Sequence, residues 1–154
     1  MFNFFKSGKE KKLEAIGEQI LLWHKACIIS MTGAEKDLLK EPRPQVGAVL
    51  YFLGSIDNLC QANKIDDQTF GEFAIKLLDI MGFQKKFTIP IVANFYTQRT
   101  DNKFALKANI EGGKKLTDFL SGENLMAPLA FGAFVREWAD HPDLGPEDVS
   151  LFVV

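Results

Sequence analysis

The chain has 154 residues, of which 47% are hydrophobic and 25% charged, with a formal net charge of −2. That suits one soluble domain burying roughly two-thirds of its unfolded surface, and it lacks the basic field that nucleic-acid binding needs, so no nucleic acid is expected. No apolar run reaches the ~20 residues that cross a bilayer, so no transmembrane segment is expected.

Phenylalanine is abundant, fourteen against two Tyr and two Trp. Phe has no polar handle, which favours a large apolar core or a buried subunit interface over a base-stacking surface. Residues 1–12, MFNFFKSGKEKK, join Phe2, Phe4 and Phe5 to Lys6, Lys9, Lys11 and Lys12, leaving a net −5 on the remainder. This stretch reads as a flexible or arm-like N-terminus before a single helical domain over 13–154. Aromatics beside lysines also offer a weak route to an anionic membrane surface. Its apolar residues precede its lysines, the reverse of a secretory signal. Cys27 and Cys60 lie in apolar helical stretches and read as buried thiols of a reducing compartment, which points to the cytoplasm.

The periodicity predicts a first helix over Leu13–Met31, with Leu13, Ile16, Ile20, Trp23 and Cys27 on one stripe. Thr32 and Gly33 end it, and Ala34–Lys40 fits a short helical turn. Pro42 and Pro44 then read as a stiff linker that no regular helix crosses. The chain is organised around 45–82. Val46–Ala62 is apolar almost all round at its start, the mark of a central helix. Only towards its end do Gly54, Asp57, Asn58 and Gln61 share a polar face. Asp66 suits an N-cap for a second helix carrying Phe70, Phe73, Ala74, Leu77, Leu78 and Met81. Ile65 and Phe70 fit a hydrophobic staple, and Gly82 a left-handed stop. With so short a joint, the two helices should form an antiparallel hairpin.

Residues 88–110 read two ways. Pro90 could open a helix, or the segment could be a β-hairpin turning at Asp101-Asn102. Ala, Leu, Lys and Glu tilt the second half to helix, although Gly112-Gly113 argues against its continuing to Leu120. Laid without gaps over 57–79, residues 118–140 match at seven of 23 positions, against roughly one or two for unrelated segments. Phe-Gly-x-Phe recurs at 70–73 and 131–134, which suggests a repeated hairpin with helices at 105–121 and 127–140. Both Gly71 and Gly132 should then lie at close helix contacts. The closing VSLFVV is β-prone and could be an edge strand or a docking tail.

Chemistry is sparse. There is no Gly-rich phosphate loop, nucleophile elbow, His-Glu-x-x-His or Cys-x-x-Cys. His24, Cys27 and Cys60 could together ligate zinc, but the thiols sit among Leu, Ile, Ala and Phe, where free cysteine packs. Asp66 at the first position of a calcium loop would put Phe70 and Leu77 where oxygen ligands belong, so that reading fails. No metal or cofactor is expected. Arg99, Lys103 and Lys107 form a small basic cluster. Asp57, Asn58 and Gln61 are the polar pocket candidates, with the solvent side of a helix end as the plain alternative.

The fold expected is all-α, a compact bundle of about six helices that could comprise two related hairpins. The alternative is α+β, with a small β-hairpin at 88–110 and a C-terminal strand. Function is expected to be non-enzymatic, through a protein partner or self-association. The alternative is a small-molecule binder or unconventional enzyme using a pocket near Asp57, Asn58 and Gln61.

Overall fold

The computed structural model describes residues 7–96 and 102–140. Among them are seven α-helices and no strand. They are α1 (Gly8–Ile29), α2 (Gly33–Leu38), α3 (Pro42–Ala62), α4 (Asp67–Ile80), α5 (Lys85–Ala93), α6 (Lys103–Leu120) and α7 (Leu129–Ala139). The β-hairpin alternative is overturned over its described part, which α5 and α6 occupy. Residues 1–6, 97–101 and 141–154, including the expected N-terminal aromatics and VSLFVV, lie outside the described residues.

The central helix is α3. Every residue from Pro44 to Asp57 is buried, as is Cys60. Its apolar surface is covered by α1, α4, α5, α6 and α7, which all pack on it. This is how an all-round hydrophobic helix is accommodated in water. Contrary to the linker reading, α3 begins at Pro42, with Pro44 still in its first turn. Amides there have no helical acceptor in any case, so prolines are tolerated.

The joint to α4 forms as expected. The Asp66 side chain accepts from the Thr69 amide at 2.8 Å, and Ile65 packs on the core. Gly82, with φ of +94°, follows α4 in the left-handed region. α5 then folds back on α4, so that Phe95 meets Phe70, with ring centroids 5.4 Å apart. Pro90 does not open this helix but lies inside it. The Lys86 carbonyl is thereby left without its helical donor.

α1 starts at Gly8, five residues before the expected Leu13, because the Ser7 side chain caps it by accepting from the Glu10 amide. α2 is fixed by a reciprocal capping box between Thr32 and Glu35. The Glu35 carboxylate, only 6% exposed, also accepts from Arg136 Nε on α7 at 2.9 Å.

The tightest seam joins α3 to α6. Asn109 Nδ2 donates to the Leu50 carbonyl at 2.6 Å, Ser55 Oγ to the Gly112 carbonyl at 2.8 Å, and Thr117 Oγ1 to Asn58 Oδ1 at 3.4 Å. Residue numbers rise together on both helices, so they run parallel. Trp23 Nε1 donates to Ser55 Oγ at 3.2 Å, which ties α1 into the same buried relay. Backbone contact at this seam requires glycine. A Cβ on Gly54 would fall 2.6 Å from the Asn109 carbonyl carbon, and one on Gly112 would fall 2.7 Å from that of Tyr51. Gly112 and Gly113, expected to interrupt the helix, are therefore what lets α6 lie against α3.

The proposed repeat survives only in part. On that alignment α7 begins one position later than α4, and α6 and α7 each pack chiefly on α3 rather than on one another. They touch through Phe104 and Trp138 and through a Lys107–Glu137 ion pair of 3.1 Å. Gly132 does mark a close contact, since its Cβ would lie 2.7 Å from Glu35 Cδ. Gly71 does not, because its nearest neighbour would be Val92 Cγ1 at 4.0 Å. Gly71→Ala should therefore stabilise the protein by up to ~1 kcal/mol through helix propensity, read as a rise in thermal midpoint. A fall would show that α4 tolerates no methyl group there.

Candidate functional site

The three polar candidates do share one face, at the edge of a cleft between α3 and α6 of about 340 Å³. The structure separates them by burial. Asp57 is 5% exposed, whereas Asn58 and Gln61 face outward. Gln61 Nε2 reaches back to the Asp57 carboxylate, 3.0 and 2.9 Å from its two oxygens. That satisfies part of a buried charge which would otherwise be costly. Asn109, Gly113 and Lys114 form the α6 wall. Asn109 was not singled out in the sequence. It is 4% exposed, and its Oδ1 has no hydrogen-bond partner among the described residues.

The zinc reading does not hold. No group of three His, Cys, Asp or Glu residues able to hold a metal occurs among the described residues. Burial pushes the Cys27 thiol far up, and burial reinforced by neighbouring Asp57 pushes Cys60 up to about 12. Both thiols thus stay protonated and unreactive at neutral pH. The His24 ring is packed edge-on against Phe52, with centroids 5.1 Å apart, and near Phe83 at 6.2 Å. Burial lowers its pKa to about 4. Of the expected basic cluster, Lys103 and Lys107 lie one turn apart on α6. Lys107 pairs with Glu137, Lys103 lies over the Phe104 ring, and Arg99 is outside the described residues.

A second feature, unforeseen in the sequence, lies on the outer face of α4 and α5. There a shallow groove of about 460 Å³ runs between the helices, floored by Phe70, Ile75 and Val92. Beside it α5 presents Ile89, Ala93 and, just beyond its end, Tyr96 to solvent; Ile89 is 46% and Tyr96 42% exposed. Asp67 at the start of α4 and Glu72 in its second turn edge the groove, and the Tyr96 hydroxyl donates to Asp67 Oδ1 at 3.0 Å. Ile89, Ala93 and Tyr96 follow one another at helical spacing, a signal that only a helix over this segment brings onto one face.

No helix among the described residues is long and apolar enough to cross a membrane. The chain matches no known family model, no curated protein and no solved structure.

Proposed function

We propose that this is a non-enzymatic binding protein of the cytoplasm that acts through protein–protein contact on the α4–α5 face. The observation that carries this reading is the apolar groove lined by exposed Ala93 and Tyr96, with exposed Ile89 one turn before Ala93 on α5. Such a contiguous apolar surface is commonly a place of contact, and a tyrosine at its edge is a residue type favoured at such contacts. The two buried, free thiols support the reducing compartment.

A photocrosslinking residue, benzoylphenylalanine, at position 93 should give covalent protein adducts in living cells. The same group at exposed Lys25 on α1 should give none. Equal adducts from both positions, or none from either, would overturn the reading.

The small-molecule alternative draws on Asp57, held nearly out of solvent beside a polar cleft. It predicts that a polar metabolite raises the thermal midpoint of the wild type but not of Asp57→Ala. The exposure of Asn58 and Gln61 places it second.

A further inference from the structure

We infer that the partner on the α4–α5 face is a second copy of this chain, docked about a two-fold axis. The inference rests on the reading of that face as a contact surface and adds the identity and orientation of what covers it.

The argument comes from how charge is laid along the face. α4 and α5 are antiparallel, so the start of α4 lies beside the end of α5, as the Tyr96–Asp67 hydrogen bond and the Phe70–Phe95 contact show. Towards that end of the groove lie Asp67 and, in the second turn of α4, Glu72, with no cation among the described lining residues. At the opposite end, exposed Lys76, Lys85 and Lys86 outnumber exposed Asp79. Lys85, Lys86, Ile89 and Ala93 lie at spacings that share one face of α5. The surface is therefore acidic at one end, apolar in the middle and basic at the other.

An isologous dimer meets the same patch on both subunits, turned by half a revolution. A two-fold axis through the apolar middle sets Ile89 and Ala93 of one copy over the groove of the other. The same rotation brings each acidic end against the partner's basic end, so one surface is complementary to itself. A parallel stacking of two copies would set like charges together and is disfavoured.

The test uses the full chain and light scattering across a concentration series. The wild type should approach twice the 17.3 kDa chain mass. Gln68→Lys with Glu72→Lys should weaken association about tenfold or more, and so should Lys85→Glu with Lys86→Glu. Mixing the two variants in equal amounts should restore the dimer, because both end-to-end pairings become attractive again. That recovery separates a lost contact from a misfolded chain. A wild-type dimer indifferent to both reversals, or a mixture that stays monomeric, would overturn the inference. A strictly monomeric wild type that still gives adducts at position 93 would also overturn it, while leaving the broader reading of that face intact.

Discussion

Alanine at Gly112 should destabilise the protein by about 3 kcal/mol or more, although alanine is the better helix former. Helix propensity alone would favour the change by up to ~1 kcal/mol. Against it, the new Cβ would meet the Tyr51 backbone, with the carbonyl carbon 2.7 Å away. Backbone in the middle of a buried helix has no rotamer to change, so α6 would have to move off α3. That shift would strain the Ser55–Gly112 and Asn109–Leu50 hydrogen bonds together. For a chain of this length the loss corresponds to roughly a 6–12 °C fall in thermal midpoint. Gly71→Ala, the same substitution in the same kind of helix, is expected to go the other way. If both variants melted like the wild type, the seam between α3 and α6 would not be as tight as described.

Acid should weaken the fold well before the carboxylates titrate, and His24 is the reason. Burial against Phe52 and Phe83 lowers its pKa from the ordinary 6.5 to about 4. The unfolded chain therefore binds a proton over a range in which the folded chain does not. Above about pH 6.5 both states are neutral, and His24 imposes no penalty. As pH falls from 6.5 towards 4 the penalty grows, reaching roughly 3 kcal/mol, and below that it stays constant. Asp66 acts in a separate window. The Thr69 amide and then Lys9 hold its carboxyl below the usual value of 3.8, so its stabilising contribution is lost only at lower pH. Thermal melts of the wild type and His24→Leu at pH 7.5, 5.5 and 4.5 would separate the two groups. The wild type should lose more stability than the variant between 7.5 and 4.5. Parallel losses would mean that the His24 ring is not confined as the structure has it.

The parts of the fold that were legible in the sequence are those whose physics is local. Asp66 announces its cap because a short acceptor precedes an apolar period. α3 announces its centrality because the stretch from Val46 to Leu53 has no polar face. Glycine was the least legible residue type, since its meaning depends on what lies opposite. Gly112 and Gly113 look like a break and are instead a seam. Gly71 and Gly132 occupy the same sequence pattern, yet only Gly132 has a side chain, that of Glu35, pressed against it. Proline misled for a related reason. Pro42 and Pro44 fall where helix amides need no acceptor, and only the position of the helix start reveals this. The polar face of Asp57, Asn58 and Gln61 could be read from spacing. Its division into one buried carboxylate and two outward amides depends on α6, and so does the presence of Asn109 in the same cleft.

The parallel course of α3 and α6 also bears on the order in which the molecule assembles. Two parallel neighbours cannot be joined by a tight turn, and the hydrogen bonds between this pair link residues 57 to 59 positions apart. Closing so long a loop is entropically unfavourable until the intervening chain is already ordered. The local hairpins α3–α4 and α4–α5 can form first. The central helix then waits, with one flank still open, for α6 to arrive. During that interval the surface around Leu50, Tyr51 and Gly54, which α6 covers in the finished fold, is still open to water. A chain slow to place α6 would thus be prone to aggregate through its own future core.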